Sequence, residues 1–217
     1  MDDSSLSIEN LEPISLPPSN NQPAKNLLVL LHGWGANAEN LAPLVSMFNL
    51  PDYQFILPNA PFAHPEVPGG KAWYALERDD YRGLEESRQL LRQWLLSLED
   101  STGVPLSRTI LSGFSQGGAM TLDVGLNLPL AGLCCLSGYL QKEPQADHSP
   151  FPPVLIAHGR RDPVVPLRAA QQAKHELTAL GVQVQYQEFD MGHEVTPSVI
   201  EFMRCFILAK LAKIEVK

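Results

Sequence analysis

Ser115 lies in the run Gly113-Phe114-Ser115-Gln116-Gly117-Gly118, with an apolar stretch (109–112, TILS) before it and a helix-like stretch (118–126, GAMTLDVGL) after it. Glycines two residues either side of a serine suit a sharp strand-to-helix turn that lifts the hydroxyl clear of the sheet. They leave room where β-carbons would crowd the serine. The turn also sets Ser115 at a helix N-terminus, where free N–H groups and the helix dipole favour negative charge. The chemistry implied is nucleophilic attack on a carbonyl. By average residue usage the spacing arises by chance in roughly one chain in fourteen of this length, so it counts only with partners.

The first partner is a base, because a serine hydroxyl is a weak nucleophile near neutral pH. Six histidines are available. His175 falls within an amphipathic helical pattern, which makes it a surface residue. His64 and His148 lie in proline-rich stretches with no set relation to Ser115, and His158 ends an apolar run as a packed or hydrogen-bonded residue. His32 opens a glycine-rich turn. His193, in DMGHEVTP (190–197), follows the last strand pattern and precedes the last helix, so it is the preferred base. A carboxylate is then needed to fix the tautomer of that ring and to stabilise the imidazolium. Asp162, in HGRRDPVVP (158–166), sits between a strand and a helix and is preferred, although Asp also suits such helix starts on structural grounds alone. Asp190, three residues before His193, is the rival. Donors for a developing oxyanion complete the set. The N–H of Gln116, next after the nucleophile, is one; the N–H of Trp34, in LHGWGAN (31–37), is the other candidate. Trp34, Phe62, Trp73 and Val164 could line an acyl site, and each serves equally well as a packing residue.

These groups need elements to hold them. Residues 26–31 (NLLVLL), 53–58, 108–113, 130–138 and 152–159 read as buried strands, and 182–190 (VQVQYQEFD) alternates as a half-exposed one. Helical patterns fall at 39–48, 82–100, 115–127, 164–181 and 196–213. Within 82–100, Leu84, Leu91, Leu95 and Leu98 share one face. Gly181 suits a left-handed cap after the fourth helix. Thr196 and Pro197 suit the start of the last, with lysines near its end. Residues 58–81, with four prolines and two glycines, read as one long loop, of a length that is usually functional or mobile. Alternating strands and helices predict a mainly parallel sheet with helices on both faces, and its ligands belong beyond the carboxyl ends of the strands. Ser115, Asp162, His193 and Trp34 each follow an apolar run, as that rule requires. Residues 1–25 form an N-terminal arm or an edge strand, and 26–217 form a single domain.

Bulk properties narrow the function. A net charge of −8 argues against a polyanionic partner, since nucleic acid calls for clustered Lys and Arg. A 44% hydrophobic composition supports a sizeable core, while LLVLL (27–31) is far too short to span a bilayer. The acidic, polar start differs from a secretory signal, so a cytoplasmic location and no stable membrane insertion are expected. Cys134 and Cys135, adjacent on a strand, point to opposite faces and lack zinc-ligand spacing. They and Cys205 read as reduced packing residues. With no H-E-x-x-H motif and no phosphate loop (Pro65 and Ala72 spoil the one near match), no metal or cofactor is expected.

Taken together, LHGWGAN (31–37), PNAPF (58–62), GFSQGG (113–118), HGRRDPVVP (158–166) and MGHEV (191–195) resemble the phospholipase/carboxylesterase family of α/β-hydrolases, which includes acyl-protein thioesterases. The resemblance runs from about residue 26 to the C-terminus, and the order Ser…Asp…His is that of the α/β-hydrolases. It implies Ser115 as nucleophile, Asp162 as acid, His193 as base, and the N–H groups of Trp34 and Gln116 as oxyanion donors. The substrate implied is a small-molecule carboxylic ester; the alternatives are a protein thioester or a lysophospholipid cleaved by the same residues, and a non-catalytic binding protein of the same fold. Trp34 stands where many relatives carry Leu, so its indole would shorten the acyl site. No cap-sized insertion follows the strand ending near Ser137, which disfavours an interfacially activated lipase. The resemblance allows a homodimer, although no stretch demands one.

Overall fold

The structure is a computed structural model describing residues 6–76, 80–144 and 150–211. His148 and the end of the last helical pattern lie outside those residues. A seven-stranded sheet runs β1 (Ile14–Leu16), β3 (Tyr53–Leu57), β2 (Asn26–Leu31), β6 (Thr109–Phe114), β7 (Gly132–Leu136), β8 (Val154–Gly159), β9 (Val184–Phe189). β1 pairs with β3 antiparallel and every other neighbour is parallel. Part of the N-terminal arm is therefore an edge strand, as a proline-rich segment permits.

The strand period of two decides which side chains meet which helices. Leu27, Val29 and Leu31 face one core with Leu91 and Leu95 of α2 (Leu84–Thr102), Met120 of α3 (Gln116–Gly125) and Ala173 of α4 (Leu167–Ala179). Leu28 and Leu30 face the other, with Ala38 of α1 (Ala38–Leu41) and Met203 and Phe206 of α5 (Pro197–Leu211). Cys135 and Cys134 divide between these cores in the same way. Cys205 departs from the packing role expected of it: it is exposed on α5, because its neighbours Phe206 and Met203 take the buried stripe.

Two stretches differ from the sequence reading. The helical pattern of 39–48 divides into α1 and a 3₁₀ segment over Ala42–Phe48. Pro43 has no N–H to continue the α-helical ladder, so the chain tightens there. The long loop carries a small hairpin, β4 (Phe62–Ala63) with β5 (Lys71–Ala72). Two residues per strand are too few to show alternation.

The chain winds from β2 out to β3, then returns across β2 to place β6 on its other side. The loops leaving β2 and β6 therefore diverge at a topological switch point, the usual place for a ligand in such sheets. Glycines make the close approach there. A β-carbon on Gly113 would lie 2.1 Å from the Gly117 carbonyl oxygen, and one on Gly117 would lie 2.4 Å from that of Leu31. The β7–β8 connection contains no helix or strand among its described residues.

Candidate active site

Ser115 occupies the single residue between β6 and α3, at φ 55° and ψ −117°. That region is costly for any residue with a β-carbon. Its N–H donates to the Leu136 carbonyl at 2.8 Å, so β7 holds the turn from the side. The residue keeps 8% of its surface exposed.

Asp162 and His193 come from neighbouring loops. β8 and β9 pair up to Gly159 opposite Phe189, so the chain leaves both strands side by side. His193 Nδ1 lies 2.7 Å from Asp162 Oδ2, and the carboxylate side chain is wholly buried while the imidazole is 16% exposed. Asp162 Oδ1 accepts from the N–H groups of Val164 and Val165, both at 2.9 Å. Burial pushes this carboxyl up, but the hydrogen bond from His193 and those from Val165 and Val164 outweigh it and hold it below the ordinary aspartate value. An ionised carboxylate facing Nδ1 selects the tautomer with Nδ1–H, leaving Nε2 free to accept a proton. Asp190 is not so placed: 74% exposed, it pairs with Arg161 at 3.0 Å.

Among the other histidines, His175 is exposed on α4. His158 is fully buried, with Nε2 2.9 Å from the Val165 carbonyl and 3.5 Å from Asp162 Oδ2. It thus braces the turn that carries Asp162, a role hinted at by its place four residues upstream. Phe114 lies beside His193 with ring centroids 4.7 Å apart. Its place next to Ser115 is the one signal of this contact that the sequence carries. The Ser115 hydroxyl makes no hydrogen bond to the described residues, and contacts of this kind often tighten only when substrate is bound.

The loop after β2 is braced by His32. Its Nδ1–H donates to the Gly33 carbonyl at 2.8 Å and its Nε2 accepts from the Ala60 N–H at 2.9 Å. Burial lowers its pKa to about 4, with the Gly33 bond opposing and Lys71 assisting, so the ring is neutral. In a trans peptide the C=O and the following N–H point opposite ways. Drawing the Gly33 carbonyl inward therefore turns the Trp34 N–H outward. A β-carbon on Gly33 would sit 3.3 Å from that of Ser115, which brings this loop against the serine. Neither the Trp34 N–H nor the Gln116 N–H has an acceptor among the described residues.

The four residues expected to line an acyl site differ in placement. Val164, next to the buried acid, is 64% exposed. Trp34 is half-buried and meets His64 edge-on, with centroids 4.6 Å apart. Phe62 is half-buried and covers Gly83, where a β-carbon would lie 2.5 Å from its ring. Trp73 departs from the expectation: it has no exposed surface, and its indole N–H donates to the His32 carbonyl at 3.0 Å. It is a core residue and offers nothing to a ligand.

Known proteins share this arrangement of the chain. The crystal structure of esterase PE8 superposes with a TM-score of 0.84 at 33% identity, covering 90% of this chain and 97% of that one. Acyl-protein thioesterase 2 of Zea mays superposes at 0.75 with 24% identity, over 92% and 98%, a likeness of fold alone. In sequence, acyl-protein thioesterase 1 of Neurospora crassa is 29% identical over 86% of this chain and 87% of its own. Acyl-protein thioesterase 1 homolog 2 of Dictyostelium discoideum is 32% identical over 70% and 73%. The fold is that of the α/β-hydrolases, and with residues 18–211 matching the phospholipase/carboxylesterase model, the chain belongs to that family.

Proposed function

We propose that the protein is a serine hydrolase that cleaves small to medium carboxylic esters. The observation that carries this reading is the buried Asp162 carboxylate on His193 Nδ1 at 2.7 Å, with Phe114, the residue before the strained Ser115, against the His193 ring. Ser115 Oγ attacks the ester carbonyl carbon while His193 Nε2 takes its proton. The N–H groups of Trp34 and Gln116 receive the oxyanion, the carbonyl re-forms, and the alcohol leaves with the proton from His193. Water then attacks the acyl-enzyme, giving its proton to His193, and the acid departs as Ser115 regains a proton. Val164 and Trp34 offer apolar surface at the mouth for a short acyl chain. No helix among the described residues is long and apolar enough to cross a membrane.

A second reading has a specific observation behind it, since sequence relatives at 29% and 32% identity bear the name acyl-protein thioesterase. The same residues would then cleave an acyl-thioester, with thiol instead of alcohol as leaving group. One experiment tests both. Short-, medium- and long-chain p-nitrophenyl esters, a lysophospholipid and an acyl-thioester are assayed beside Ser115→Ala. The variant should lose ~10⁴–10⁶ in kcat on every substrate the enzyme turns over. Near-normal turnover by Ser115→Ala eliminates the mechanism. A higher kcat/KM on the thioester selects the second reading.

A further inference from the structure

Residues 71–74 run as a seam between the two segments that carry the proposed oxyanion donors. On one side, the Lys71 N–H donates to the Ala36 carbonyl at 2.8 Å and the Gly35 N–H donates to the Lys71 carbonyl at 2.9 Å. The Trp73 indole N–H reaches the His32 carbonyl at 3.0 Å. On the other side, the Trp73 backbone N–H donates to Gln116 Oε1 at 2.9 Å, and Gln116 Nε2 donates to the Tyr74 carbonyl at 2.8 Å. The seam is itself anchored. The Ser87 hydroxyl of α2 donates to the Trp73 carbonyl, and the Tyr74 hydroxyl lies 2.7 Å from that of Tyr139 and donates to Gln141. Trp73, Tyr74, Ser87 and the Gln116 side chain are all fully buried.

The two donors lie about eighty positions apart in sequence (34 and 116), and an oxyanion hole works only when both aim at one oxygen to within ~0.5 Å. The Trp34 loop has glycine on both sides, with Gly35 at φ 77°, and His32 braces it only on the Gly33 side. Gln116 supplies its donor from the backbone, which any residue could do, yet its side-chain amide uses both its oxygen and its nitrogen on the seam. We propose that Trp73 and the Gln116 side chain are positioning residues that fix the spacing of the two oxyanion donors, with residues 71–74 as the strut. This rests on the serine-hydrolase reading above. It explains why a glutamine follows the nucleophile, and it gives the buried tryptophan a part in turnover without contact to substrate.

The test uses Trp73→Phe, which keeps a large ring but removes the indole N–H, and Gln116→Met, which keeps length but removes both polar atoms. The readouts are kcat and KM on a p-nitrophenyl ester and the affinity of an alkyl trifluoromethyl ketone. Ser115 Oγ adds to the ketone carbon, its proton passes to His193, and the carbonyl oxygen becomes an oxyanion held by the two N–H groups. Each variant should lower kcat by ~10–100-fold, less than or comparable to outright loss of one donor, with KM within ~3-fold. Ketone affinity should weaken by the same factor as kcat/KM. The proposal is overturned if kcat and ketone affinity both stay within ~3-fold of wild type, or if kcat falls while ketone affinity holds. If Trp73→Phe does not fold by circular dichroism, Gln116→Met decides. Failure of both to fold assigns the seam to stability alone and also overturns it. A wild-type enzyme that neither binds the ketone nor reacts with a fluorophosphonate probe sinks the hydrolase reading instead.

Discussion

A hydroxyl gains nucleophilicity when an imidazole stands ready for its proton, and the group behind the ring orients it, fixes its tautomer and stabilises the imidazolium that forms. Here that group is Asp162, buried, ionised and fixed by two backbone N–H groups. Asp190 is three residues from His193 in the chain but points to solvent and pairs with Arg161. Asp162→Asn should therefore lower kcat by ~10⁴, since an amide facing Nδ1 favours the wrong tautomer. Asp190→Asn should change it by less than about 3-fold, as exposed ion pairs contribute little. Steady-state rates of the two variants side by side check this; a larger loss in Asp190→Asn would reverse the assignment. The preference for Asp162 was legible in the sequence from its place after a neighbouring strand. The side chains that brace the site were not. His158, His32 and Gln116 act through bonds to Val165, Gly33, Ala60, Trp73 and Tyr74, and only Val165 and Gly33 lie close in the chain to the residues that reach them. Trp73 shows the limit most clearly, because an aromatic residue in a loop looks the same whether it faces a ligand or the core.

At the scale of elements, the β6–Ser115–α3 turn concentrates strain. Gly113 and Gly117 let the strand, the helix and the end of β2 come within backbone contact, while Ser115, between them, carries a β-carbon in a region suited to glycine. Such a conformation costs about 1–3 kcal/mol, and a glycine there would lose ~0.5–1 kcal/mol of that gain to the entropy of the unfolded chain. Ser115→Gly should thus be more stable than Ser115→Ala by about 1 kcal/mol in urea unfolding, with both inactive. Ser115→Gly less stable than Ser115→Ala by ~0.5–1 kcal/mol would mean that the turn is unstrained in solution. Elements of this size were the most legible part of the chain. The leucine stripe of α2 and the glycine-flanked serine each carry a local signal, whereas the β4–β5 hairpin and the break at Pro43 depend on contacts with the loop after β2 and on one missing N–H.

Over the whole molecule, the sheet converts separation along the chain into adjacency, and the buried histidine beside its switch point ties folding to pH. His32 has no exposed surface, and both ring nitrogens are committed to the backbone with Nδ1 protonated. A second proton would have to displace the Ala60 N–H. The folded protein resists protonation until about pH 4, whereas the unfolded chain binds a proton near pH 6.5, the ordinary value for histidine. Between these values the unfolded state holds more protons, so stability rises with pH and is lost as pH falls from about 6.5 toward about 4. The loss from this residue should reach about 2.5 kcal/mol by pH 4.5. Asp162, whose carboxyl is held low, adds its own loss further into acid, as pH falls through its folded-state value. Urea unfolding of wild type and His32→Gln at neutral and acidic pH separates the contributions. The glutamine carbonyl can accept the Ala60 N–H without titrating, so the variant should start less stable yet lose about 2.5 kcal/mol less on acidification to pH 4.5. If the two proteins lose stability in parallel, His32 takes up its proton in the folded state at an ordinary pH, and the brace on the Trp34 loop tolerates a charge that this burial should forbid.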